Sequence, residues 1–270
     1  MKFKSIFIVF NLLLLLFLGI LIFLPHLVLG SAFATLWTSW PLILVWTVFF
    51  LVFNAFYFSN RRLFLLLEKE DWPALARYLE DKVIRKNKYS RRLVRLLANT
   101  YLVLSDFAAV MMLENKVALV KPALVDQNTL VFGTARILGR DISGAIHFFA
   151  ARKDRVKSGI KEWVYWYHGF SLLLDRHFEE AGKEFSLLAR VSNDAVIIAL
   201  SSFFLSETVI SILGENAKDF QEIANSGRER VRKALPTLNN WNREISQLST
   251  EIHAAAISKY LKEAANWLYS

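Results

Sequence analysis

The chain has 270 residues, no cysteine, a formal net charge of +9 and 14% aromatic residues. Without cysteine it can form no disulfide scaffold, no thiolate metal site and no cysteine nucleophile. The length allows one large domain beyond the first 60 or so residues, or one assembled from repeated units.

Lys2 and Lys4 precede a stretch, Ile6 to Ser59, that contains no Asp, Glu, Lys or Arg. A bilayer core takes about 20 apolar helical residues, so this stretch predicts two transmembrane helices, Ile6–Leu24 and Leu36–Phe58. An uncharged turn from Pro25 to Ser31 joins them. A lysine-led apolar run also begins a signal peptide, but no small-x-small pair closes the first run cleanly. Arg61 and Arg62 follow the second span, and positive residues stay on the cytoplasmic side, so both termini are expected in the cytoplasm. Trp37 and Trp40 fall where the outer interface would be, and Tyr57 near the inner one. Asn11 and Asn54 lie inside the spans, where an amide needs a partner, either across the hairpin or on another membrane protein.

Asp71-Trp72-Pro73 then starts a helix, with Asp71 as its cap and proline in a first turn where it is tolerated. Trp72, Leu75, Ala76 and Leu79 recur at helical spacing and line one face. Arg85, Lys86, Lys88, Arg91, Arg92 and Arg95 follow as a dense basic run. Beside a membrane anchor, each such charge attracts anionic lipid by about 1 kcal/mol, so these six are the expected headgroup contacts. Nucleic acid is not the expected polyanion, because no zinc pattern, Gly-rich single-strand loop or interleaved aromatic stripe accompanies the charges.

From Leu96 onward the chain is helix-forming and repeats. Gly133, Ala145 and Phe149 recur as Gly169, Ala181 and Phe185, with Leu172 and Leu188 at further hydrophobic positions. A small residue lets two helix backbones approach, and a large one a turn later fills the groove beside them. One helix pair cannot bury its apolar face alone, so pairs are expected to stack. Asp141 and Asp175-Arg176 fall in turns between paired helices. Weaker units lie upstream, at Leu97–Tyr101 with Ala109 and Val110, and around Trp72–Ala76. Near the end, Pro236 interrupts a polar helix, and Trp241 to Tyr269 reads as one final helix that caps the stack.

These residues resemble the signature of tetratricopeptide (TPR) repeats, with a period of about 36 rather than the usual 34. Arg136 stands where that signature has a hydrophobic residue, and Asn193 where it has proline. The layout also resembles that of the bacterial inner-membrane HemY family. The resemblance implies an all-α chain, two transmembrane helices followed by a TPR-like α-solenoid of antiparallel pairs. The hairpin would take residues 1–60, basic juxtamembrane helices 61–95, repeats 96–215 and capping helices 216–270.

Candidate acids and bases do not converge. His147, His168, His177 and His253 show no metal-ligand spacing, and His168, Asp175 and His177 come nearest to a cluster. No phosphate-binding glycine loop and no nucleophile elbow occurs. Asp106, Glu114, Glu179, Glu180 and Glu184 read as solvent-facing acids. The expectation is a protein without catalytic residues, metal ligands or cofactor, and not an enzyme. A helical stack does offer a concave face, here Asn128, Thr129, Phe132 and Arg136, then Trp163, Trp166, Tyr167 and Phe170. Aromatics and arginine dominate binding hot spots, so Trp163, Trp166, Tyr167, Phe170 and Arg136 are the expected contacts for a membrane-associated partner protein. The function expected is an inner-membrane scaffold or assembly subunit, with an accessory subunit of a transport or lipid-handling complex as the alternative.

Overall fold

The computed structural model describes residues 3–29, 40–248 and 252–270, and these are helical with no strand among them. The chain divides into two units, Met1–Tyr78 and Leu79–Ser270.

In the first unit, α1 (Phe3–Leu29) and α2 (Trp40–Glu68) pair as a hairpin. The Asn54 amide donates to Asn11 Oδ1 at 2.9 Å, so the two intrahelical amides meet across it, and Trp46 Nε1 donates to the Leu14 carbonyl at 3.3 Å. Phe7 stacks on Tyr57 and Phe17 packs beside Trp46. Asp71 caps α3 (Trp72–Glu80), accepting from the Ala74 amide at 3.1 Å, and the unit boundary falls within that helix.

Two N-terminal membrane spans are not supported. Among the described residues one helical stretch is long and apolar enough to cross a membrane, Ala195–Leu213, and 61% of it is buried inside the second unit. The first helix contributes a shorter apolar stretch, Lys4–Ile20. On the second, no stretch of span length is found among the described residues. The inner-membrane localisation, the cytoplasmic termini and the membrane-anchored scaffold all rested on those spans and fall with them. Trp37 and the turn residues Gly30 and Ser31 lie outside the described residues.

The second unit is a stack of helix pairs. It contains α4 (Arg91–Val103), α5 (Phe107–Val120), the single turn α6 (Ala123–Gln127), α7 (Thr129–Leu138), α8 (Ile142–Ala150), α9 (Ser158–Leu174) and α10 (Phe178–Val191). Beyond these come α11 (Ala195–Phe204), continued by a π turn and α12 (Ile210–Leu213), and then α13 (Lys218–Ala234). The chain closes with α14 (Leu238–Leu248), α15 (Ile252–Ala256) and α16 (Ser258–Tyr269), so the single helix expected from Trp241 to Tyr269 is interrupted, among the described residues, at Ile257. Burial follows helical spacing: Val94, Leu97, Ala98 and Tyr101 on α4, and Ala181, Phe185, Leu188 and Ala189 on α10. α11 is apolar apart from Ser201 and Ser202 and is buried all round, from Val196 to Leu205, against α10, α13 and α16.

One turn recurs along the chain. Glu70, Ser105, Arg140 and Arg176, about 35 residues apart, each take a positive φ, and the next residue's amide reaches back to a carbonyl in the preceding helix. Asp106 and Asp141 then cap α5 and α8, accepting from Ala109 and Gly144 amides at 3.0 Å. A left-handed residue at a helix end is usually glycine, because a Cβ there is strained. Arg140 is exposed and makes no ion pair among the described residues, so Arg140→Gly should stabilise the protein by about 0.5–1 kcal/mol. Thermal unfolding followed by circular dichroism checks this.

Arg230 supplies a second kind of helix end. From α13 its guanidinium donates to the carbonyls of Ala189, Arg190 and Ser192 at 2.7–2.9 Å, satisfying the orphan acceptors that close α10. Arg228 and Arg232 likewise reach the carbonyls of Trp267 and Leu268, tying α16 down.

Candidate functional site

The aromatic residues expected to line a binding groove are enclosed instead. Trp166 and Tyr167 are 0% and 1% exposed, Phe170 4% and Trp163 8%. Trp166 stacks on Phe170 with centroids 5.1 Å apart, meets Tyr167 edge-on at 5.1 Å and borders Phe185 and Phe204. Tyr167 in turn stacks on Phe149. α9 is the central helix of the stack, touching α7, α8, α10 and α11, so nearly every side of it meets another helix. Its large residues over more than one stripe are core. Asn128, Thr129 and Phe132 are buried as well.

Arg136, the remaining groove candidate, is an internal strut. It donates to Glu114 Oε2 at 2.7 Å and to Asp141 Oδ2 at 3.0 Å, and its guanidinium lies over the Phe148 ring. Arg152 covers the same ring, with 3.9 Å to its centroid. Glu114 is therefore not a solvent-facing acid: it is 6% exposed. Asp106 caps a helix.

His168, Asp175 and His177 do not come together as one cluster, and among the described residues no group of three metal-ligating side chains forms. His177 lies 3.3 Å from Asp175, both part-exposed. His168 is buried and faces Glu184 at 2.9 Å, and Lys153 reaches the same oxygen at 2.8 Å. Burial by itself would raise the Glu184 carboxyl, but the bonds from His168 and Lys153 outweigh it and hold it below the ordinary carboxylate range. Glu184 is thus a buried tie between α9, α10 and the turn after α8, where a solvent-facing acid was expected.

The basic run does not form one face. Lys86 pairs with Asp81 at 2.6 Å, and Arg85 sits beside Glu80 and Tyr101 in a separate surface hollow. Lys88 and Arg92 are exposed. Arg91 and Arg95, one turn apart on α4, instead border a cavity of about 270 Å³ with Gln127, Asn128, Val131, Gly159, Ile160, Trp163 and Leu248. A larger hollow of about 510 Å³ adjoins it, sharing Arg91, Gln127, Gly159 and Ile160 and adding Asp126, Arg155, Lys157 and Ser158. Burial, with the charge of Arg91 beside it, lowers the Arg95 guanidinium below its ordinary value. Arg91, Arg155 and Lys157 form no ion pair among the described residues. Asp126 lies 3.6 Å from Arg152, an ion pair without a hydrogen bond.

Three stretches distant in sequence build this groove. Ser90 starts α4 by accepting from the Leu93 amide, which sets Arg91 in the first turn. The turn after α8 carries Arg152, Lys153, Arg155 and Lys157, a second basic run in the sequence that could have drawn attention to the site. Lys157 precedes α9 and gives it no side-chain cap, so the first amides of that helix are left to other partners.

The fold and this groove define a helical-stack protein with a basic seat at one helix start. Residues 109–270, more than half of the chain, match the family described as "Uncharacterised Treponema protein", and the chain belongs to that family. It is 29% identical over 278 residues to an "Uncharacterized protein" of Treponema pallidum (strain Nichols), covering 100% of this chain and 88% of that protein. No solved structure matches. The resemblance to TPR repeats, and the likeness of layout to the HemY family, are corrected by this assignment. The helix pairs are also uneven, with the single turn α6 between α5 and α7 and π turns at Asp81–Arg85 and Leu205–Val209.

Proposed function

We propose that the chain is a non-catalytic binding module whose ligand seat is the basic groove between α4, α6 and the start of α9. The observation that carries the reading is the convergence there of Arg91, Arg155 and Lys157, cations with no ion-pair partner among the described residues, around two adjoining cavities. Cations crowded against one another and a helix N-terminus are mutually destabilised, and an anion relieves both at once. The titratable groups that come closest together, Lys153, His168 and Glu184, are engaged with one another.

The test is calorimetric titration of the full chain with a panel of anions: inorganic phosphate, citrate and polyglutamate. At least one should bind, more weakly as salt rises, since exposed charges are screened within about 10 Å at 0.1 M. Arg91→Gln/Arg155→Gln/Lys157→Gln should weaken that binding about a hundredfold with an unchanged circular dichroism spectrum. Anion binding that survives the triple variant, or none by the wild type, contradicts the reading.

A further inference from the structure

The groove holds acceptors as well as cations, and the acceptors select among anions. Asn128 is 3% exposed and borders the smaller cavity. Its Nδ2 donates to the Leu124 carbonyl at 2.8 Å, which fixes the amide and leaves Oδ1 as the free end. That Oδ1 is buried and has no hydrogen-bond partner among the described residues. A buried acceptor without a donor costs about 1–3 kcal/mol, a cost a ligand donor would remove. Asp126, at the rim of the adjoining cavity, is a second acceptor.

A ligand that suits both sets must be anionic and carry a hydrogen-bond donor. A carboxylate or sulfate at neutral pH has charge and no donor. An ammonium has donors but meets Arg91, Arg95, Arg155 and Lys157, against which Asp126 is already paired with Arg152. A phosphoryl group combines the two properties: it bears about −1.5 to −2 charge near neutral pH, and while its second proton is held it has an O–H to give. α9 contributes the third element, because it begins at Ser158-Gly159 with no side-chain cap, and space around Gly159 is open. We propose that the groove is a phosphoryl-group site, in which the cations and the α9 amides hold the phosphate oxygens and Asn128 Oδ1 accepts from the protonated one. This rests on the anion-binding reading above and narrows it.

The experiment compares inorganic phosphate with sulfate, an anion of similar size and charge without an O–H, by titration of the full chain at neutral pH. Phosphate should bind about tenfold tighter than sulfate, the worth of one hydrogen bond to a charged group. Asn128→Ala should erase the preference while leaving sulfate binding unchanged. Because Asn128 is interior, the exposed pair Arg155→Gln/Lys157→Gln is run beside it and should weaken both anions about tenfold with the preference retained. Glycerol 3-phosphate and phosphatidate-containing vesicles then separate a free phosphate ester from a lipid headgroup, and competition by either supports the site. Equal binding of sulfate and phosphate overturns the phosphoryl assignment and leaves the anion-binding reading standing. Binding of neither, together with no binding by citrate or polyglutamate, overturns both.

Discussion

Arg136→Ala is expected to cost about 3–5 kcal/mol of folding stability, enough to unfold much of the chain near body temperature if its reserve is ordinary. The guanidinium is 18% exposed and holds the buried Glu114 together with Asp141. Removing it strands the Glu114 carboxylate on α5, where water reaches it poorly, and frees Asp141 from the end of α7. Glu114→Ala should cost a similar amount by leaving the arginine under-paired. The double change Glu114→Leu/Arg136→Met, which replaces the pair with apolar groups of comparable size, should recover most of the loss, because the desolvation of both charges disappears with them. Urea unfolding of the three variants measures the coupling. If the singles lose less than about 1 kcal/mol, the pair is a surface decoration and the internal-strut account fails.

The second large effect is at Trp166. Its 0% exposure and its five aromatic neighbours predict a loss of about 3–5 kcal/mol for Trp166→Ala, from lost transfer energy and the cavity left behind. The chemistry of the same site predicts that Trp166→Phe is mild, below about 1.5 kcal/mol. It keeps the ring stacked on Phe170 and removes an indole N–H that has no partner among the described residues. A partner-binding tryptophan would behave otherwise: Trp166→Ala would leave stability intact and abolish an interaction. Thermal unfolding of the two variants separates the cases.

Some of this was legible in the sequence. Glycine followed at fixed offsets by alanine and phenylalanine encodes a close helix approach, and Phe149 does press against Gly133 and Phe185 against Gly169, where even a Cβ would crowd them. Asp71 as a cap could be read from its neighbours alone, and the intrahelical amides Asn11 and Asn54 announced a need for a partner. Other features were hidden for physical reasons. The turns at Asp141 and Asp175-Arg176 were legible, but their left-handed residues, Arg140 and Arg176, like Ser105, are not glycine, so the conformation was not. The pairing of Arg136 with Glu114 joins two helices, and the bland chemistry of each residue gave no hint of it. The aromatics of α9 looked like a surface because the sequence cannot say how many sides of a helix its neighbours cover. The groove is hidden for the converse reason: in sequence Arg91 belongs to a basic run, whereas its neighbours in space are Asn128, Arg155 and Gly159. Long apolar runs at the start drew the membrane reading, while the stretch of span length among the described residues is the core helix α11 and its continuation.

The measurement that tests the central claim most directly is hydrogen–deuterium exchange of the full chain with and without inorganic phosphate. If the groove is the ligand seat, protection should rise in the segment 155–163, centred on the uncapped amides of Ser158 and Gly159, and in 91–95, with the remaining helices unchanged. Protection confined to other segments, or none at a phosphate concentration that saturates binding, would contradict it.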